Sequence, residues 1–492
     1  MPKMLFMLAL CALLAACSDP ESDAIRFALA SSPVNLDPRY ATDAVSERIN
    51  RLLYARLVDF DDNARPVGSL ATWKVLGPAH YRFRLGKQNR RFHDGSRLDT
   101  ADVAATFSSI LDPDSGSVHR GTLQKIDRIE IIDADTLDFH LHSADLLFPA
   151  YLSIGILPGE GIANGYSFHN HPVGSGPFRL LSWPTAGHLE LQRIQDGQRL
   201  VFEQVRDPTM RILKLLRGEV DLLQNDLPPE LLHYLHQRED ILVTRIPGSN
   251  FSYLGFQMED AETGRLDVRR AIALAIDRDA IIRHLFKGAA RPASSLLPPE
   301  HWAGSVQLAT LQPDPGRARA LLQAAGYNRE HPLRLGYKTS SDPFRIRIAT
   351  ILQDQLSRVG IEIEVQSYDW GTFYGDIKAG RFQMYSLAWV GVKSPDIFRY
   401  AFHSESIPPG GANRGRLADS EVDRLIALAM NATSMEQQAH WYVQLQNHLQ
   451  YRLPYVPLWY EDQYFACRAG VYGYELTADG NYDALVSTHK RP

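Results

Sequence analysis

The chain has 492 residues, too many for one ordinary core, so two or three domains are expected. Hydrophobic residues make up 45% and charged residues 22%, the balance of a globular protein, and a net charge of -5 with no basic block argues against nucleic acid as a partner. Of the cysteines Cys11, Cys17 and Cys467, two fall in the N-terminal segment, which excludes an internal disulfide framework and a Cys-based zinc site.

Lys3 precedes an apolar run from Met4 to Ala16, about half the roughly 20 residues that a membrane span requires. Small residues close the run, as at a signal-peptide cleavage site. Leu14-Ala15-Ala16-Cys17 resembles a bacterial lipoprotein box. That resemblance implies a signal peptide over residues 1–16, cleavage before Cys17, lipidation of Cys17 and a polar tether through residue 23. Several acyl chains, at ~0.8 kcal/mol per buried methylene, hold a protein stably on a lipid membrane. An ordinary secretory signal with a chance cysteine is the alternative. No second apolar run reaches spanning length, so the body is expected in the cell envelope, lipid-anchored on the periplasmic face of the inner or outer membrane.

The body opens with a strand in which Ile25, Phe27 and Leu29 alternate, broken by Ser31-Ser32-Pro33. An amphipathic helix is expected over Ser46 to Leu57, then a strand on Tyr81, Phe83 and Leu85 and a turn at Phe92-His93-Asp94-Gly95. Asp99 or Thr100 caps a helix carrying Val103, Phe107 and Ile110, with Asp102 suiting the dipole of its first turn. Ile129–Ile132 and Leu137–Leu141 read as a hairpin. Val173-Gly174-Ser175-Gly176-Pro177-Phe178 is a glycine-rich turn in which glycine permits positive φ. Asp314-Pro315 to Gly326-Tyr327 is a helix with Asp as cap and Pro at its first position. Leu333–Tyr337, a helix from about Arg345 to Val359, and Ile361–Val365 form a β–α–β unit with parallel pairing.

Gln383 to Phe398 reads as a buried strand that breaks at Gly391. Its end offers Trp389, Val390 and bare main chain at Gly391, a combination suited to an extended ligand that bonds along the backbone while the indole packs on it. Pro395 ends the segment, and Asp396 reads equally as the N-cap of the next helix or as a ligand contact.

Several of these segments, in order, carry a family resemblance. Tyr81-Arg82-Phe83-Arg84-Leu85, Phe92-His93-Asp94-Gly95, Ala101-Asp102-Val103, the Gly174–Pro177 turn, Leu254-Gly255-Phe256 with Asp267 to Arg278, the helix ending in Ala325-Gly326-Tyr327, and Leu453 to Leu458 resemble the peptide/nickel-type extracytoplasmic solute-binding proteins of ABC importers. The resemblance spans roughly residues 24 to 490. It implies an α/β fold of periplasmic-binding-protein type, two α/β lobes around a hinge with an inserted α+β domain. Lobe one would be 24–40 with 166–247 and 469–492, the inserted domain 41–165, and lobe two 248–468, with crossings near Pro247-Gly248 and Cys467-Arg468. The implied function is capture of a small peptide or peptide-like ligand and delivery to permease subunits of an ABC importer, by a monomer with no cofactor.

The peptide-binding members hold the ligand's α-amine with an aspartate three residues after the tryptophan. Here that position is Val392, with Lys393 beside it. A buried ammonium facing valine would lose its counter-charge, at ~2–5 kcal/mol, so another carboxylate takes the amine or the ligand lacks one; Asp396 is the nearest candidate. Arg345 and Arg347 lie where an arginine takes the ligand carboxylate. Asn413 and Arg414 follow a Gly-rich segment near the cleft, and Tyr40, Asn250, Phe251 and Tyr253 are further cleft-wall candidates. No Gly-x-Ser-x-Gly elbow, P-loop or His-Glu-x-x-His occurs, and His169-Asn170-His171 reads as a surface loop, so no enzyme activity and no metal site is expected. The alternatives carried forward are a binder of an anionic or metal-chelate solute, an envelope interaction lipoprotein that kept the fold without transport, and, most weakly, a hydrolase.

Overall fold

The computed structural model describes residues 23–88 and 90–491, so the signal segment and Cys17 lie outside the described residues. Its centre is an 11-stranded sheet. From one edge the order is Ile361–Tyr368, Leu333–Ser340, Met384–Trp389, Ile241–Phe256, Tyr455–Arg468, Leu222–Gln224, Ile25–Leu29, Arg199–Gln204, His188–Arg193 and Phe178–Thr185, with Ala290–Pro292 also paired to Tyr455–Arg468.

Two strands run through both halves of this sheet: Ile241–Phe256, of 16 residues, and Tyr455–Arg468, of 14. They pair antiparallel from Ile241↔Arg468 to Gly255↔Tyr455, with a small register shift between Ser252 and Tyr253 and a larger one between Ile246 and Asn250 opposite Gln463 and Glu461. On one side of that shift Cys467 joins a core with Phe27, Leu52, Phe178 and Leu200. On the other, Leu254 and Trp459 pack with Leu335 and Leu352 on one face of the sheet, while Tyr253 and Tyr460 pack with Tyr385 and Phe398 on the other. Cys467 thus sits well inside the first core, beyond the shift.

The inferred β–α–β unit is present. Leu333–Ser340 and Ile361–Tyr368 pair in parallel at all eight positions, joined by the helix Pro343–Ser357. A separate four-stranded antiparallel sheet orders Ala71–Gly77, His80–Leu85, Thr136–Leu141 and Ile126–Asp133. The helix Thr100–Leu111 closes its core with Val103, Phe107 and Ile110 against Phe83 and Phe139.

Local chemistry sets the helix ends. Asp99, not Thr100, is the cap, and Asp102 reaches back to the Asp99 N–H in a capping box. The helix expected to begin at Ser46 starts earlier, at Ala44, because Asp43 accepts from the Ser46 N–H. It also stops at Leu53, four residues short of Leu57, since Tyr54 is already extended. Asp396 precedes the helix Ile397–Phe402 but makes no capping side-chain bond.

The Gly174–Pro177 turn is glycine-rich for a reason other than the one expected. Neither glycine has positive φ. A Cβ on Gly174 would lie 2.0 Å from the Leu53 carbonyl oxygen, and one on Gly176 2.4 Å from that of Leu52. The turn presses its backbone onto the end of helix Ala44–Leu53, and only a missing side chain permits that approach. Gly174→Ala should therefore destabilise the fold by ~1–3 kcal/mol through overpacking, read as a drop of several degrees in Tm, whereas Gly95→Ala, whose Cβ would meet nothing within 4 Å, serves as the control for positive-φ strain alone.

Candidate functional site

At the carboxyl ends of Leu333–Ser340 and Met384–Trp389 lies a cavity of about 210 Å³, walled by Tyr253, Arg345, Trp370, Leu387, Val390 and Trp459. In open α/β sheets this is where ligands bind, because strand ends and helix starts leave backbone groups facing a shared crevice. Asp342 caps the helix Pro343–Ser357 by accepting from the Arg345 N–H, which starts the helix at the cavity rim and brings Arg345 into the wall. Thr339, Ser340 and Ser386 add hydroxyls.

The strand Met384–Trp389 is held on one side along its whole length, from Phe251↔Trp389 to Phe256↔Met384. On its other side the parallel ladder pairs Tyr337↔Met384 and Lys338↔Tyr385 and goes no further among the described residues. Leu387 to Trp389 therefore keep a main-chain edge outside that ladder beside the cavity, the arrangement an extended ligand requires. Gly391 follows with φ +68°, and a Cβ added there would meet nothing within 4 Å.

Trp389, unlike Val390, is not part of the cavity wall; it meets Arg414 instead. The Arg414 guanidinium lies 4.7 Å over the indole and donates to the hydroxyls of Tyr253 at 3.0 Å and Tyr374 at 3.3 Å. Arg414 is only 8% exposed, and among the described residues no carboxylate lies within ion-pairing distance of it. Tyr253 in turn stacks on Tyr455 at 3.9 Å. The Trp389 Nε1 is buried without a hydrogen-bond partner, while the hydroxyls of Tyr253, Tyr385 and Tyr455 interact with one another. Aromatic faces stabilise such a cation, and the tyrosine hydroxyls that accept from it can also donate. Tyr253 belongs to both the cluster and the cavity wall.

Three charge contacts frame the region. Arg345 reaches Glu461 at 3.5 Å, and Glu461 also accepts from Ser252 Oγ at 3.0 Å. Arg347 pairs with Glu230 at 2.6 Å, both largely exposed. Lys393 reaches Asp479 at 2.6 Å and lies 5.1 Å over the Phe60 ring. Burial works against the charged Asp479 carboxylate, but Lys393 beside it, with hydrogen bonds from Thr477 and the Asn481 N–H, outweighs burial and holds the carboxyl at about 2.

The remaining expected residues lie apart from the cavity. Asp396 sits near Lys125 and Asp145, and burial pushes its carboxyl up. Asn413 spends its amide inside its own loop, donating to the His403 and Leu417 carbonyls and accepting from the Leu417 N–H. Tyr40 lies under the Arg39 guanidinium at 5.1 Å. Asn250 pairs opposite Glu461, and its Oδ1 is buried without a partner. Sequence reasoning passed over Trp370, Trp459, Glu461 and Asp479. For Glu461 a signal existed: Glu461-Asp462 interrupts an otherwise apolar run from Tyr455 to Tyr460.

The family description "Bacterial extracellular solute-binding proteins, family 5 Middle" matches residues 66–407. The chain is 24% identical over 494 residues to a dipeptide-binding protein of Pseudomonas aeruginosa, covering 92% of each chain. Its fold is similar to that of NikZ from Campylobacter jejuni, solved with Ni(L-His), with a TM-score of 0.81 and 23% identity over 95% of this chain and 99% of that one. It is also similar to the periplasmic binding protein DppA from Helicobacter pylori, solved with the peptide STSA, with a TM-score of 0.79 and 22% identity over 95% and 98%.

The Lys393–Asp479 pair makes the structure acid-sensitive. A carboxyl held at about 2 when folded, against 3.8 ordinarily, contributes stability that is fully present above the ordinary value and is lost as pH falls through about 2. Asp479→Asn should therefore lower Tm at neutral pH and flatten its decline on acidification, followed by thermal melts across that range; an unchanged acid limb would show that the pair carries no such load.

Proposed function

The chain belongs to the bacterial extracellular solute-binding proteins of family 5, and we propose that the solute it binds is a small peptide or peptide-like molecule, held between two lobes and delivered to the permease subunits of an ABC importer. The observation that carries this reading is the main-chain edge of Leu387 to Trp389 beside a cavity that also holds Arg345. Backbone bonding along that edge accepts many side chains, while charge contacts fix the ligand's length and register. At about 210 Å³ the cavity lies below the ~300–1,000 Å³ of drug-sized sites and suits a short peptide.

In this reading Arg345 takes the ligand carboxylate through two parallel N–H bonds, and Glu461, which it releases, takes the α-amine in place of the aspartate missing at Val392. Asp396 and Asn413 are left out of the proposed contacts, the first because it lies beside Lys125 and Asp145, the second because its amide is used within its loop. The lobes are read as 24–40 with 166–247 and about 463–492, and 248 to about 462, with 41–165 inserted. We place the second crossing at Glu461–Gln463 rather than Cys467-Arg468, because the register shift lies there and Cys467 packs in the first core. Lys393 and Asp479 then join the lobes across the cleft. We read the protein as a binder with no catalytic step, anchored through lipidated Cys17.

A second reading rests on Arg414. A buried cation with no carboxylate partner among the described residues, beside the unpartnered Nε1 of Trp389, favours an anionic solute seated against Trp389.

Native mass spectrometry of the chain from Ser18, followed by denaturation to identify what it carries, tests the proposal. Bound peptides support it, and an anionic non-peptide shifts the solute class toward the second reading. For peptides, Glu461→Gln should weaken binding of free-amine ligands about tenfold or more relative to their N-acetylated forms, and Val392→Asp should shift the preference the other way; calorimetry that finds both ratios unchanged removes Glu461 from the role. Independently, Cys17→Ala should abolish incorporation of labelled palmitate and release the protein from the membrane fraction.

A further inference from the structure

A second concavity, of about 1390 Å³, lies away from the cavity above, between the four-stranded sheet and the Phe178–Thr185 edge of the large one. It is lined by seven basic side chains and one carboxylate, that of Asp135. Some of these cations are already used. Arg90 and Arg97 share Asp135 at 3.0 and 3.6 Å, and buried Arg193 is bound to Asp196 and three backbone carbonyls. Lys87, Arg91 and Arg179 have no carboxylate within ion-pairing distance among the described residues, and Arg84 makes no close ion pair but lies in reach of the Asp133 charge; Arg179 donates to neutral Gln192, and Arg91 to the Gly95 carbonyl. Arg84, Lys87 and Arg91 lie within eight residues of one stretch, and Arg179 joins them from the Phe178–Thr185 strand; in a protein of net charge -5 their convergence is a local field of opposite sign.

Two further features lie on the same rim. Ile194 is 52% exposed and Val486 36% exposed, both lining the groove. The described chain also begins there: the Asp23 carbonyl accepts from Gln198, in the turn that carries Ile194 and Gln195. Residues 17–22 span at most ~20 Å when extended, so a lipid on Cys17 would hold this rim next to the membrane surface.

We propose that this groove is a docking surface for the anionic phosphodiester headgroups of the membrane that carries the anchor, with Arg84, Lys87, Arg91 and Arg179 meeting phosphates and Ile194 and Val486 reaching the interface. The choice of membrane over an acidic protein rests on the reading of Cys17 as lipidated, and on exposed apolar residues standing beside the cations. Basic side chains near an anionic surface each add about fivefold to partitioning and lose it beyond a Debye length, so the contact is salt-sensitive. Docking would set which face of the body the tether turns toward the bilayer.

The test uses the chain from Ser18, which has no lipid and retains every described residue, so it is independent of whether Cys17 is acylated. Sedimentation with phosphatidylglycerol/phosphatidylcholine vesicles at low salt should show binding at least tenfold stronger than with phosphatidylcholine alone, lost at high salt. The variant R84Q/K87Q/R91Q/R179Q, with an unchanged Tm, should lose at least tenfold of that binding, while a matched set of exposed arginines elsewhere, R334Q/R358Q/R424Q/R217Q, should not. Equal loss in both variants would mean a diffuse charge effect and overturn the proposal. So would wild-type chain that ignores anionic vesicles, or that is stabilised by inorganic phosphate or glycerol phosphate while ignoring them, which would make the groove a site for a free anion. Failure of the palmitate experiment together with success here would leave the groove and remove only the covalent anchor.

Discussion

One antiparallel ladder carries both halves of the molecule. Tyr455–Arg468 passes from the second half's cores into that of Phe27 and Cys467, and Ile241–Phe256 passes from the same second-half cores to Ile241, which packs with Ala28, Leu223 and Ala466, so along the ladder each strand satisfies backbone groups of the other while its side chains serve the core they have entered. A continuous ladder resists shear, but it yields where pairing lapses, and the lapse is at Ile246 to Asn250 opposite Glu461 to Gln463. The residues around that lapse also meet the candidate site. Ser252 bonds Glu461, Glu461 meets Arg345, and Tyr253 enters both the cavity wall and the Arg414 cluster. A change in pairing angle at the lapse would move these groups together.

The charges near the site follow from burial. An exposed pair such as Arg347–Glu230 contributes little, since water competes for both partners. Lys393–Asp479 is better shielded, with side chains 19% and 21% exposed, and its effect on the Asp479 carboxyl is correspondingly large. Arg414 is the extreme, a buried guanidinium balanced by rings and hydroxyls. Removing water from an ion is expensive, and aromatic faces recover only part of it.

Much of the architecture was legible because its determinants are local. Asp99, Asp314 and Asp342 each sit one residue before a helix and accept from its first-turn N–H groups, a pattern visible within four residues. The β–α–β unit showed through its alternating periods. What stayed hidden depends on distant neighbours. Gly174 is small because Leu53 lies against it, although over a hundred residues of chain separate them, and a conformational reason read from the turn alone was the wrong one. Lys393 stood out beside Val392, yet nothing near it in sequence points to Asp479. Five cations of the basic groove, from Arg84 to Arg97, lie within fourteen residues that were read as a strand and a turn; only the fold brings Arg179 and Arg193 to them.

Cys467 is the free cysteine among the described residues, buried in the first core, and burial pushes its thiol up to about 11. A thiol kept protonated and out of solvent is a poor nucleophile, so it neither exchanges with small disulfides nor offers itself to an oxidase. The described body therefore reaches its folded state without an oxidant or a disulfide isomerase, and holds that state whatever the redox poise around it. For a member of an extracellular solute-binding family, the described body then takes the same disulfide-free form in reducing or oxidising surroundings.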